Sequence, residues 1–477
     1  MILLALIAVP ALAAVGAYAH RAAEWRTPWL VLGALLHLVL VALAWGSPVE
    51  PVLQGWLALD PLGLIVLSTV SLLFAVVASY TVGYLRRESP RGGRAFVSCL
   101  LAFLAAASLV ALSHHFVLLW VGLEATTLAV APLIFHRHDR RSLEAVWKYL
   151  VISSVGIALA LLGVFFLATA QAGAPGGRPL VLEDLLGDAA RLHPVWLKAA
   201  FVFLLVGFGT KMGLAPMHTW KPDAYGEAPG LVGGLMAGAL TSCAFLGVAR
   251  STQVAVAAGI GPFIQPLLVA FGLLSLVVAA AFLIGQSDLK RLLAYSSVEH
   301  MGLLALGLGL GVAGAYGAVL HMINNAFVKG LLFLAVGNVL LDPEAGRPPG
   351  LSGVLSRAPV SGFLLLIGLF AVTGSPPFGT FLSEFAILSA AFQGGHYWIA
   401  ATVLALLAVI FVGLAASILA VVHGPSPSPA QKPRESPWLI AGPLVLALAV
   451  LVLGVFIPRV LSEALSAAAG SVGGRVP

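Results

Sequence analysis

Charged residues are scarce in this chain of 477 residues, because Lys, Arg, Asp and Glu together make up 9% of it, against roughly 25% in soluble domains. This scarcity excludes a soluble globular protein. Apolar residues make up 60% of the chain and the mean hydropathy is +1.04. The apolar segments, such as 263–285, are continuous rather than alternating, which excludes a transmembrane β-barrel. The predicted fold class is an all-α polytopic membrane protein, since helices satisfy their own backbone groups in hydrocarbon.

Cysteine is nearly absent too, and Cys99 and Cys243 lie in apolar runs without the spacing of a disulfide framework or a zinc site. The chain has no Walker loop, no GxGxxG opening a βαβ unit, no CxxC and no HExxH. We therefore expect no resident cofactor or metal and no catalytic chemistry in this chain. Its pI near 9.5 comes from basic residues dispersed through short loops, which indicates membrane topology rather than nucleic-acid binding.

Long apolar runs between charged or Pro/Gly-rich breaks predict about fourteen membrane spans. In chain order they cover approximately 2–19, 28–46, 60–84, 95–112, 115–135, 145–170, 195–219, 230–249, 263–285, 292–312, 315–341, 360–392, 397–422 and 438–457.

The basic residues are distributed unevenly between the two sets of loops. Seventeen Lys and Arg lie in loops after odd-numbered spans or in the first turn of the next helix, Lys221 among them, and four lie in the even-numbered set. By the positive-inside rule, the odd loops face the cytoplasm and both termini lie on the opposite, periplasmic or extracellular side. The Pro- and Ser-rich stretch 424–437 is predicted to be a cytoplasmic linker.

The chain contains a weak internal repeat. A shift of 161 residues aligns Gly213 with Gly374 and Pro216 with Pro377, and Gly-x-x-Pro inside an apolar run is typical of an interrupted helix. These windows fall in spans 7 and 12, and an odd offset inverts the topology. We predict two inverted five-helix repeats, 95–250 and 251–422, preceded by three helices in 1–94 and followed by a linker and the last helix in 423–477.

Four ionisable residues lie deep inside apolar segments: Glu124, Lys211, Lys329 and Glu384. An ionised side chain at the bilayer centre costs about 2.5–3.5 kcal/mol, so each indicates a functional site. Glu124 lies halfway through span 5, and Lys211 lies near the break in span 7. The two could form a static ion pair that fixes helix packing, or a pair that opens and closes as protons move.

Span 11 carries a polar stripe, because His321, Asn325 and Lys329 are four residues apart and lie on nearly one helix face. His321 alone could be a hydrogen-bonded packing residue. Glu384 follows the break in span 12.

Weaker candidates lie nearby. His218 follows the break in span 7, and Glu299 and His300 lie two turns into span 10, where they could face a cytoplasmic inlet. Lys148 forms an i,i+4 pair with Glu144, and Asp288 lies at a predicted membrane boundary, so a solvated role is the ordinary alternative for both.

Four strings carry a resemblance to a known family: TKMGLAPMHTWKPDA (210–224), DLKRLLAYSSVEHMG (288–302), HMINNAFVKGLLF (321–333) and GSPPFGTFLSEF (374–385). They resemble the antiporter-like, proton-translocating subunits of respiratory complex I, multi-subunit cation/proton antiporters and group 4 membrane-bound hydrogenases. The resemblance runs over about 60–460. Within that superfamily, LEATT (123–127), WKY (147–149) and YSSVEHMG (295–302) look most similar to the F component of hydrogenase-4-type complexes.

The resemblance implies fourteen core helices with inverted repeats and broken spans 7 and 12. It also implies that Glu124 and Lys211 are the glutamate/lysine pair, that Lys329 is the central lysine assisted by His321, and that Glu384 lies on the exit side. This chain departs from many relatives in span 8, where Ser242 replaces a lysine eight residues before Arg250. The link between the two halves would then depend on water, Ser242, Thr241 or histidines.

The function implied is a proton-translocating subunit of a redox-driven complex in the plasma membrane, of the group 4 hydrogenase kind. Its expected partners are lipid, other membrane-arm subunits and a peripheral redox module of the [NiFe] hydrogenase type. Two alternatives stay open: a subunit of a Na⁺/H⁺ antiporter or of complex I, and a non-conducting scaffold for a peripheral catalytic module.

Overall fold

The computed structural model describes residues 1–20, 22–46, 49–88, 93–171, 179–341, 352–425 and 435–474. Within these ranges the chain is helical, and its only β-type pairings are isolated bridges such as His115 with Val181. The α-helices are α1 (Ile2–Ala19), α2 (Arg26–Gly46), α3 (Pro61–Arg87), α4 (Gly93–Leu112), α5 (Phe116–Ile134), α6 (Arg140–Gln171), α7 (Leu182–Gly187), α8 (Pro194–Met212), α9 (Trp220–Glu227), α10 (Gly230–Leu235), α11 (Thr241–Ala257), α12 (Gly261–Leu283), α13 (Leu289–Gly309), α14 (Gly311–Leu340), α15 (Val354–Arg357), α16 (Pro359–Val372), α17 (Gly379–Gln393), α18 (Tyr397–His423), α19 (Pro437–Val455) and α20 (Arg459–Gly473).

The predicted polytopic helical fold is confirmed. In the described ranges, 13 helices are long and apolar enough to cross a membrane. One of them, Gly230–Ala257, joins α10 and α11 through a π-helical turn at Met236–Leu240. Predicted span 12, which is broken as expected, consists of two shorter helices, α16 and α17, of 14 and 15 residues. Most of the predicted cytoplasmic linker, 426–434, lies outside the described residues.

Both predicted interruptions occur, and both have the same local backbone. The first half-helix, α8, ends at Gly213 with φ +83°, and a cis Ala215–Pro216 bond precedes α9. In the second interruption, Gly374 has φ +63° and a cis Pro376–Pro377 bond precedes α17. Glycine adopts positive φ without a Cβ penalty, which explains why these helices end where they do. The inverted repeats and the four-part domain division stay predictions.

Three membrane-crossing segments occupy the centre of the molecule: α13, α14 and Gly230–Ala257. They are almost entirely buried inside the protein, whereas helices such as α6 and α18 present large apolar side chains outward, including Phe165 and Trp398. Gly272 and Gly302 face each other between α12 and α13, and a side chain on either would collide with the other's backbone. Small residues therefore let the surrounding helices approach the central ones closely.

The sequence analysis did not predict α20, which follows the last membrane helix. Its buried residues Leu465, Ala468, Ala469 and Val472 repeat at i, i+3, i+4 and i+7, the pattern of an amphipathic surface helix. It packs against α3, α11 and α14.

Loops of the same parity meet at the same end of the molecule. Asp60, His114, Glu183 and Arg250, from the even-numbered loops, form one cluster in which Arg250 Nη2 lies 3.0 Å from Asp60 Oδ1. His114 Nε2 lies 3.4 Å from the same oxygen, and its Nδ1 bonds Glu183. Partial burial alone would raise the pKa of Glu183, but the contact with His114 brings this pKa below its ordinary value.

The odd-numbered loops meet in a second cluster, where Asp223 pairs with Lys148 at 2.8 Å and with Arg291 at 2.9 Å.

Replacing Asp60 with Asn should destabilise the protein by about 3 kcal/mol, because it leaves the buried Arg250 guanidinium without its carboxylate. Asparagine still caps the N-terminus of α3, so the change isolates the lost charge. The measurement is the folded fraction after heating detergent-solubilised membranes. Glu463→Gln is the matched control, because it breaks an exposed pair with Arg459 and should cause no measurable change. Equal stability of the two variants would contradict the prediction.

Candidate functional site

The first predicted pair is brought together by α5 and α8. Lys211 is fully buried and its Nζ lies 3.8 Å from Glu124 Oε2, while the Glu124 side chain is 25% exposed. Thr127 donates to the same carboxylate oxygen at 3.2 Å, and the Tyr149 ring lies 5.6 Å from the ammonium. Lys211 Nζ has no hydrogen-bond partner among the described residues. The pair is therefore in electrostatic contact but is not closed by a direct hydrogen bond.

The second buried lysine, Lys329 on α14, contacts α13. Its Nζ donates to Ser296 Oγ at 2.7 Å, and the Ser296 hydroxyl donates to Glu299 Oε2 at 3.2 Å. All three side chains are buried. Ser296 thus connects an ammonium to a carboxylate, so Lys329 has a counter-charge that lies far from it in the sequence.

A line of histidines continues from this point toward the second helix break. His300 Nδ1 lies 2.9 Å from His321 Nε2, and His321 Nδ1 lies 2.9 Å from Ser383 Oγ. The two imidazoles therefore share one hydrogen. Glu384 follows Ser383 in α17, is 8% exposed, and packs its carboxylate against the Cα of Gly374.

His300, His321 and Glu384 also form a group whose geometry suits a metal ion, because their ligand atoms lie within 4.8 Å of one another. Two imidazole nitrogens and one carboxylate oxygen are a donor set that zinc accepts. The hydrogen bond between the imidazoles uses one nitrogen of each ring, whereas His300 Nε2 and Glu384 Oε1 have no hydrogen-bond partner among the described residues.

Several weaker candidates lie apart from this line. Ser242 donates to Gly238 O of its own helix at 2.7 Å, and Asn325 points to Ala237 O in the π-helical turn at 3.4 Å. His218 lies beside Tyr295, with ring centroids 6.4 Å apart.

Lys148 and Asp288 lie at the odd-loop end of the molecule. Asp288 caps α13 by accepting the backbone N–H groups of Lys290 and Arg291 at 2.8 and 3.0 Å. Lys148 and Asp288 line a polar cavity of about 510 Å³ together with Asp223 and Arg291. Glu299 and His300, by contrast, are buried, and their place at a cytoplasmic inlet stays a prediction.

Lys221 is a buried cation that the apolar-run criterion does not identify. Lys221 was counted as a loop residue, but α9 continues the interrupted helix and buries Lys221 completely. Its Nζ donates to Ser297 Oγ at 2.9 Å. The internal repeat contains the missing signal, because the 161-residue shift aligns position 221 with Leu382, in the helical half that follows the second break.

Comparison with known proteins places this arrangement in a family. The model of the NADH:quinone oxidoreductase/Mrp antiporter transmembrane family matches residues 113–410, more than half of the chain. The chain belongs to this family. The matched region contains both helix breaks and all the buried lysines.

Relatives of this family are similar over most of their length. The "Hydrogenase-4 component F homolog" of Methylacidiphilum infernorum is 34% identical over 342 residues, which cover 70% of this chain and 72% of that protein. The "NADH-quinone oxidoreductase subunit N" of Halorhodospira halophila is 30% identical over 460 residues, which cover 91% and 90%. The chain is therefore an antiporter-like membrane subunit of the complex I, Mrp and group 4 hydrogenase family.

Solved structures agree on the fold. A chain of the membrane-bound sulfane sulfur reductase, an archaeal respiratory membrane complex, superposes with a TM-score of 0.88 at 24% identity, covering 98% of this chain and 97% of that one. A chain of respiratory complex I from Thermus thermophilus superposes with a TM-score of 0.78 at 26% identity, covering 97% and 98%. At 24% identity, the first likeness concerns the fold alone.

The contact between Gly374 and Glu384 can be tested with two glycine substitutions. Gly395→Ala places a methyl group at φ +74° in open space and should cost about 1–2 kcal/mol of stability from backbone strain. Gly374→Ala adds a collision with the Glu384 carboxylate and should cost about 1–3 kcal/mol more, because a buried polar group must move. Thermal stability of the solubilised protein measures both. If Gly374→Ala is no worse than Gly395→Ala, Glu384 does not pack there.

Proposed function

We propose that this chain moves protons through the membrane along a series of buried titratable groups, as a subunit of a redox-driven complex of the group 4 hydrogenase type. One observation carries the proposal. Lys211 with Glu124, Lys329 with Glu299, and His300 with His321 and Glu384 form three groups of titratable side chains on the membrane helices, and neither lysine is exposed. Such groups are costly to keep in hydrocarbon, and this cost indicates that they have a function.

The geometry favours proton transfer over the alternative of a static ion pair. A buried salt bridge repays its desolvation only when close contacts satisfy both charges. Lys211 lies 3.8 Å from Glu124 without a hydrogen bond, and the direct partner of Lys329 is a neutral serine hydroxyl. Both lysines can change protonation state without breaking a tight bidentate contact.

The sequence has none of the recognised motifs that bind nucleotides or redox clusters, which favours energy supplied by other subunits or by an ion gradient. One relative is named as a hydrogenase-4 component, and the solved neighbours come from multi-subunit respiratory complexes. These names support other membrane subunits as partners. That the redox chemistry lies in a peripheral module of the [NiFe] hydrogenase type is part of the proposal. A plasma-membrane location is part of the same proposal, and the charge distribution favours both termini outside the cytoplasm.

Removing either member of the first pair should stop proton movement. Lys211→Met and Glu124→Gln should each reduce proton translocation by the complex in sealed membrane vesicles about a hundredfold, because proton transfer by a positioned side chain contributes factors of that size. Lys198→Met is the matched control, since Lys198 is exposed and contacts Phe263; it should translocate normally. Normal translocation in both pair variants would instead support the non-conducting scaffold.

Cation replacement separates proton movement from antiport. If protons alone are carried, the rate of vesicle acidification should stay the same when Na⁺ in the buffer is replaced by K⁺ at equal ionic strength. A rate that follows the Na⁺ concentration would support the Na⁺/H⁺ antiporter instead. As a control, adding an uncoupler to the vesicles should abolish acidification in both buffers.

A further inference from the structure

We propose that Lys221 is a third proton-carrying lysine of this pathway. It connects the part of the pathway around Lys211 and Glu124 (the Lys211 half) to the part around Lys329 and Glu299 (the Lys329 half), in place of the span 8 lysine that this chain lacks. This inference rests on the proposed function. It assigns a role to a residue that composition and loop counting had placed outside the membrane.

One end of Lys221 lies at the first helix break. Its side chain crosses the Cα of Gly213 so closely that a methyl group there would collide with Lys221 Cε. Gly213 follows Lys211 by two residues and ends α8. The Lys221 side chain therefore starts in the same break that ends the helix of Lys211.

The other end of Lys221 reaches the Lys329 half through α13. Lys221 Nζ donates to Ser297 Oγ at 2.9 Å, and Lys329 Nζ donates to Ser296 Oγ at 2.7 Å. Two consecutive hydroxyls of one helix thus each accept from a buried lysine. The two lysines are thus held by neighbouring residues of α13, and the charge of Lys329 acts on Lys221.

The surroundings of Lys221 suit both of its protonation states. The ammonium lies 6.0 Å from the Trp220 ring centroid and 5.9 Å from that of Tyr225, positions that stabilise a cation. In the described part of the chain it forms no ion pair, so no carboxylate fixes the charge. A lysine that served only to hold helices together would be expected to have such a counter-charge.

Span 8 itself does not supply the connection. Ser242 donates to Gly238 O at 2.7 Å, and Thr241 donates to Ala237 O at 2.6 Å. Both hydroxyl hydrogens are therefore used within their own helix. Lys221 fills the position between the halves that these residues leave without a titratable group.

The transfer step conserves one proton. The neutral Lys221 amine accepts a proton from the Lys211 side and becomes an ammonium, then releases it toward Lys329 and returns to the amine. Two adjacent ammonium groups in the interior repel each other. Arrival of a proton at Lys221 therefore favours departure of the proton on Lys329 toward His300 and His321.

Three substitutions at this position separate titration from fixed charge. The whole complex in inverted membrane vesicles is assayed for proton translocation and redox turnover over a range of pH. Lys221→Met removes the amine and should reduce translocation about a hundredfold. Lys221→Arg keeps the charge but cannot release its proton, and should fail equally. Lys221→His should recover part of the rate with a pH optimum on the acidic side, because imidazole has an ordinary pKa of about 6.5 against about 10.4 for lysine.

Lys290→Met is the matched control, since Lys290 is also buried but bonds Ala228 O near the odd-loop end; it should translocate normally. Full activity of Lys221→Arg, or of Lys221→Met, would overturn the assignment of Lys221.

Lys211→Met tests the pathway as a whole: if that variant fails while Lys221→Met is active, only the role of Lys221 is wrong. If Lys221→Met does not assemble, Ser297→Ala decides, with about a tenfold slower translocation expected and an unchanged rate counting against the assignment.

Discussion

A charge in hydrocarbon must be enclosed by protein or water, and this constraint determines which helices occupy the centre of the molecule. The helices that carry Lys329, Glu299 and His300 are buried on nearly all sides, whereas those at the periphery are apolar on their outer face. Apolar helices gain little by associating in lipid, so the packing relies on small residues such as Gly272 and Gly302. The outer helices thus insulate the polar interior from lipid.

The two helix breaks convert this enclosed interior into a site. A continuous helix would position Lys211 and Lys221 about three turns apart on one rod. The break at Gly213 interrupts this rod, and the Lys221 side chain crosses the end of the helix that carries Lys211. At the second break, Gly374 provides the space in which the Glu384 carboxylate lies. In both cases the absent glycine side chain makes room for an ionisable one.

The positions of the membrane helices and of most buried charges could be predicted from the sequence, because insertion into a membrane strongly restricts which residues a helix can contain. Long apolar runs located the helices, and a charge inside such a run marked Glu124, Lys211 and Lys329. Pairings between distant helices could not be read in this way. Ser296 and Ser297 resemble ordinary helix residues until Lys329 and Lys221 are seen to donate to them. Lys221 was missed because its segment has too few apolar neighbours to indicate a buried helix.

Lys329 and Lys221 both have a serine, rather than a carboxylate, as their direct hydrogen-bond partner. A carboxylate in contact with an ammonium would hold its proton through a strong charge-assisted bond. A hydroxyl oxygen accepts from the ammonium and can also accept from the neutral amine, which retains two N–H groups, so it orients the lysine in either state. Glu299 lies one hydroxyl further from Lys329 than a direct partner would, and Glu124 lies at 3.8 Å from Lys211. Neither lysine therefore forms a direct hydrogen bond with its carboxylate, an arrangement that is compatible with the proposed reversible protonation.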